Sequence, residues 1–159
     1  DIQYGNIYGI YHGKGSSPIS ITIDGAELPA VYGAFESTVE TPENMTAVTI
    51  SVKGDAAVES LYGLFRTYCT GGVLIDTEES VTIKSLYGLR SSTMDGDITE
   101  NINYNCDGNT FVTLATDGYY TGKAYTINGS VQYERCRHQF RVYCAERSCA
   151  QQDTDGQGD

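Results

Sequence analysis

Any chemistry in this 159-residue chain would have to be built from two histidines, five cysteines, 21 carboxylates and ten basic residues. His12 lies in Tyr11-His12-Gly13-Lys14-Gly15-Ser16-Ser17, and His138 lies in an arginine-rich segment near the C-terminus. Serine hydrolysis needs a nucleophile raised on a sharp turn beside a histidine and a carboxylate, and no GxSxG elbow occurs. Gly13-Lys14-Gly15-Ser16-Ser17 has the lysine and hydroxyls of a phosphate loop. It lacks the first glycine of GxxxxGK[ST] and a following helix, so a flexible turn is expected. Both histidines are assigned surface or packing roles.

Paired carboxylates such as Glu78-Glu79 and Asp95-Gly96-Asp97 do acid–base work only where an apolar pocket raises one pKa. No such pocket is legible around them, and they read as solvated loops. Hard oxygens around a glycine turn suit calcium better. Asp95, Asp97 and Glu100 are the candidates, with Asp153, Asp155 and Asp159 as a second set; neither completes an EF-hand loop. No other cofactor is expected. The chain is read as non-enzymatic, with a hydrolase as the least favoured alternative.

The cysteines are Cys69, Cys106, Cys136, Cys144 and Cys149, without a CxxC pair or a histidine cluster. Disulfides are therefore expected in preference to zinc, with at least one of the last three bonded to Cys69 or Cys106. Asn44-Met45-Thr46 and Asn128-Gly129-Ser130 are glycosylation sequons. Asp1 opens the chain without methionine, as a processed secreted chain would. Together these features predict an extracellular or cell-surface protein.

The net charge of −11 is unevenly spread. Residues 1–133 hold 16 acids against six bases, whereas 134–149 hold four arginines against two glutamates. An acidic body repels phosphate backbones and anionic lipid, which argues against nucleic acid and membrane surfaces as partners. No run of 18 apolar residues is present to cross a bilayer. Arg135, Arg137 and Arg141 can meet an acidic surface, that of another copy included.

These groups must be positioned by a repeat. Ser60-Leu61-Tyr62-Gly63-Leu64 recurs as Ser85-Leu86-Tyr87-Gly88-Leu89, and relaxed copies stand at Ile7-Tyr8-Gly9-Ile10 and Val31-Tyr32-Gly33-Ala34. The four motifs are 24, 30 and 25 residues apart. Five Tyr-Gly pairs occur where 13 tyrosines and 18 glycines would give about 1.5 by chance. A glycine inside a strand marks a bend or a close backbone approach, over which the tyrosine ring can lie. Between motifs run alternating segments, Ile19–Ile23, Val48–Val52, Val81–Ile83 and a looser Ile98–Cys106, each with the period of a strand buried on one face. Lys123–Tyr133 reads as a bulged hairpin with Asn128 at its tip, and Asp117-Gly118 as a turn.

Short strands at this spacing predict an all-β antiparallel sandwich or barrel built partly from ~25-residue Tyr-Gly repeats. A β-solenoid is the alternative. Against it stand the 30-residue interval and the lapse of the motif after residue 105. Residues 1–149 are taken as one domain, with 1–12 as a strand able to pair with an exposed edge, and 150–159 as a polar acidic tail. The expected function is a structural subunit, of a filament or coat, that assembles with copies of itself. The alternative is a monomeric lectin or adhesin module that binds carbohydrate through its tyrosines, with or without calcium.

Overall fold

A computed structural model describes residues 5–42, 44–78, 80–94 and 96, and beyond them the backbone of strands 98–102, 111–120, 124–128, 139–140 and 150–153. The strands are stacked as the rungs of a β-solenoid, and every pairing between them is parallel. Rung 1 is β1 (Ile7–Tyr11), β2 (Lys14–Gly15) and β3 (Ile19–Asp24). Rung 2 is β4 (Glu27–Phe35), β5 (Thr38–Val39) and β6 (Thr46–Lys53). Rung 3 is β7 (Ala57–Phe65), β8 (Tyr68–Cys69) and β9 (Gly72–Thr77). Rung 4 is β10 (Thr82–Met94) and β11 (Ile98–Ile102), and rung 5 is β12 (Phe111–Tyr120) and β13 (Ala124–Asn128). Two short strands, β14 (Gln139–Phe140) and β15 (Ala150–Asp153), pair with rung 5. One sheet collects the Tyr-Gly strands and the other runs β15-β13-β11-β9-β6-β3.

The expected antiparallel sandwich is thus replaced by its alternative. Alternation reports that one face is buried; it carries nothing about the direction of the neighbouring strand. The 30-residue interval has a local cause. Gly15 to Ile19 and Cys69 to Val73 are four positions, but their register partners Val39 and Val48 are nine apart. Five extra residues are extruded there as the loop at 40–45. The sixth lies in the next turn, where Lys53 to Ala57 spans one position more than Asp24 to Glu27.

Each Tyr-Gly strand buries every third residue, not every second. Val58, Leu61 and Leu64 face inward, as do Leu28, Val31 and Ala34 one rung below and Ile83, Leu86 and Leu89 one rung above. Period 3 arises because the strand bends twice. At the first bend Pro29, which has no N–H to pair, stands across from Glu59, and both fall out of the register. At the second bend Gly33 and Gly63 do the same, and the alternation is re-phased so that the following leucine also points in. A side chain on Gly33 would collide with the Gly63 carbonyl and with Val48; one on Gly63 would collide with the Gly88 carbonyl and with Val73. Glycine is required because rung lies on rung at that point.

The core is a set of columns: Ile7–Val31–Leu61–Leu86, Ile10–Ala34–Leu64–Leu89, Val39–Cys69–Met94, Ile21–Ile50–Ile75. Each large side chain so enclosed contributes about 1.5–3 kcal/mol.

Two segments are corrected. Val81–Ile83 is no strand of the second sheet: Thr82 and Ile83 open β10 and pair with Ala57 and Val58. The second-sheet strand of that rung is β9, where Leu74 masks the alternation. Of the hairpin expected at 123–133, Ala124–Asn128 is β13, which lies between β11 and β15, and the second arm lies outside the described residues. Asp117-Gly118 is a bulge within β12 and not a turn. Ala150–Asp153, at the start of the segment expected as a polar tail, is β15, and 154–159 lie outside the described residues.

Candidate functional site

The outward residues of the Tyr-Gly strands form two aromatic columns. In the first, Tyr8, Tyr32, Tyr62 and Tyr87 stack with centroids 5.0, 4.8 and 5.1 Å apart and planes within 9°. In the second, Tyr11, Phe35 and Phe65 stack at 5.2 and 5.0 Å. Within a rung the columns meet edge to face, as Tyr32 and Phe35 do at 4.9 Å. These spacings are those of neighbouring strands, so in-register parallel pairing produces the stack by itself. Arg90 follows Phe65 in the second column and lies 5.0 Å from the centre of the Tyr87 ring.

The rings therefore cover one another. A ring stacked on both faces offers a ligand only its edge and hydroxyl. Sugar stacking needs a free face, and faces are open at rung 1, where Tyr8 is 36% exposed and Tyr11 57%. Burial, and then the phenols of Tyr62 and Tyr8, push the Tyr32 pKa above the ordinary tyrosine value.

The corner after each aromatic column had no counterpart in the sequence reading. His12, Glu36, Arg66 and Ser91 all have left-handed backbone, with φ between 46° and 49°. The hydroxyl that follows holds each turn. Ser37, Thr67 and Ser92 donate to the carbonyls of Phe35, Phe65 and Arg90 at 2.7–2.9 Å. They accept from the amides of Gly13, Ser37 and Thr67, each on the rung before. The aligned corners Tyr-His-Gly, Phe-Glu-Ser, Phe-Arg-Thr and Arg-Ser-Ser carried this signal. On the surface of the corner, Glu36 binds His12 at 2.8 Å and Arg66 at 3.3 Å.

His12 thus meets the Glu36 carboxylate on an exposed corner. Lys14 and Gly15 are strand residues, and Lys14 pairs with Glu40 at 3.2 Å. Glu78 accepts from the Gly54 amide at 3.1 Å and serves a turn. Gly96 is buried so closely over Gly71 that packing alone accounts for it. Its neighbours Asp95 and Asp97 lie outside the described residues, and Glu100 is placed by register alone, between Ile75 and Ile127. Among the described residues no three histidines, cysteines or acids converge on a metal position.

Cys69 is a buried thiol that donates to the Gly71 carbonyl at 3.6 Å and fills a core column. Cys106, Cys136, Cys144 and Cys149 lie outside the described residues, as do Arg135, Arg137 and Arg141. Asn44 is exposed in the extruded loop, whereas Asn128 ends β13 in register with Asn101.

The remaining feature is the edge that rung 1 presents among the described residues. β1 and β3 are the outermost strands of their sheets. Ile7, Ile10 and Ile19 are only partly buried, while Val31, Ala34 and Val48, one rung further in, are sealed. No family model, curated protein or solved structure matches the chain.

Proposed function

We propose that this protein is a structural module of the cell surface or extracellular space that works by associating with copies of itself. The observation that carries the reading is the edge of rung 1. A parallel stack leaves unpaired backbone groups at its ends, and soluble proteins blunt such edges with charge, proline or a covering segment. β1 carries no charged residue, and β3 carries Asp24 alone, at its last position. Apolar columns and two aromatic faces end on the same surface. Sedimentation of the native chain over a hundredfold concentration range tests this, with association expected to rise with concentration. A monomer throughout would overturn it.

Carbohydrate binding is the second reading, supported by the open faces of Tyr8 and Tyr11. It predicts saturable binding of an oligosaccharide by a monomer, lost in Tyr11→Ala.

A further inference from the structure

We infer that two copies join first rung to first rung, with β3 of each pairing antiparallel about Ile21. The inference rests on the assembly reading and adds its partner, orientation and register.

The first argument is the sequence of β3. In Ile19-Ser20-Ile21-Thr22-Ile23 the inward positions are isoleucine and the outward ones hydroxyls, symmetrically about Ile21. An antiparallel mate centred there sets Ile19 against Ile23 and Ser20 against Thr22 of the second copy, so apolar meets apolar and hydroxyl meets hydroxyl. That is the self-complementarity a two-fold contact requires. Pro18 and Asp24, either of which would spoil a strand pair, fall outside the five-residue frame.

The second argument is charge. Two molecules of net charge −11 repel unless they meet through a surface free of acid. Residues 5–23, which contain β1, β2 and most of β3, hold Lys14 and no carboxylate.

The test uses exposed positions, so that folding is preserved. In the proposed register Ser20 faces Thr22 of the second copy at two symmetric places. The double variant Ser20→Lys with Thr22→Lys opposes lysines at both, and should raise the dimer dissociation constant at least tenfold. Ser20→Lys with Thr22→Glu opposes lysine with glutamate and should leave the dimer intact. The first pair also lowers the net negative charge, which on its own would favour association, so weakening there reports the strand contact. Sedimentation of wild type should end at a dimer. Dimers equally stable in both variants would overturn the inference. A series of oligomers that lengthens with concentration would overturn the head-to-head geometry and leave the assembly reading standing. A wild-type monomer at all concentrations would overturn both.

Discussion

Replacing Gly63 by alanine adds one methyl group whose neighbours are known. It would collide with the carbonyl of Gly88 on the next rung and sit 2.8 Å from Val73 Cγ1. Optimal carbon–carbon contact is about 3.5–4.0 Å, so the methyl lies well inside the repulsive wall. Relief by lifting rung 4 is opposed on both sides, because Tyr62 pairs with Tyr87, Leu64 with Leu89, and the Arg66 amide bonds the Arg90 carbonyl at 2.9 Å. Overpacking of a filled site costs about 1–3 kcal/mol, and a clash with backbone and side chain together belongs at the upper end. At about 3 kcal/mol the Tm of a chain this size falls by roughly 6–12 °C. Gly25 is the control. Its φ is +71° and nothing lies within 4 Å of an added Cβ, so alanine there meets only the left-handed penalty of about 1–2 kcal/mol. With no tryptophan in the chain, urea unfolding is best followed by tyrosine fluorescence and far-UV circular dichroism. The expected order is wild type, Gly25→Ala, Gly63→Ala. A Gly63→Ala midpoint equal to that of wild type, or above that of Gly25→Ala, would refute the claim that contact between rungs demands the glycine.

Thr67→Val keeps shape but strips the Phe65 carbonyl and the Ser37 amide of a partner; about 2–4 kcal/mol should be lost, and Thr67→Ser should restore most of it in the same unfolding assay. The raised pKa of Tyr32 means that the unfolded chain ionises first, so the stability it contributes is whole below pH 10 and is lost as pH rises through the folded value. Tyr32→Phe should flatten the fall in Tm above pH 10, modestly because the ring edge meets water. In a host that modifies sequons, Asn44 should carry a glycan that Asn44→Gln and Thr46→Ala each remove, visible by mass spectrometry with Tm unchanged.

The sequence announced the rung length and the bend. SLYGL twice, and its relaxed copies, marked the glycine contact correctly, because that contact tolerates one residue type and so repeats literally. Strand direction was not legible, since Ile19–Ile23 would alternate alike in either kind of sheet. The 30-residue interval seemed to break the period only because spacing was measured between motifs. Measured between Val39 and Val48, five of the six extra residues become one loop. The corner columns escaped because His12, Glu36, Arg66 and Ser91 share a backbone conformation and no side-chain chemistry. Rung 5 also hid itself: Ala115 stands in register with Tyr87, and two residues are lost on the way to Gly118 opposite Ser92, which removes the motif but keeps the pairing.

The extruded loop and the hydroxyl corners have a mechanical consequence. Each rung is held only by the rungs before and after it, and the corner bonds tie successive rungs one to one. A pull on one end of the chain therefore loads a single rung at a time, as a thread loads one stitch. Every rung that comes away shortens the stack by about 4.8 Å. It releases about 25 residues, roughly 80–90 Å of chain. Such an object yields in discrete steps under tension, lengthening more than tenfold per step while the rest stays folded. A surface component that must give without breaking would behave in this way.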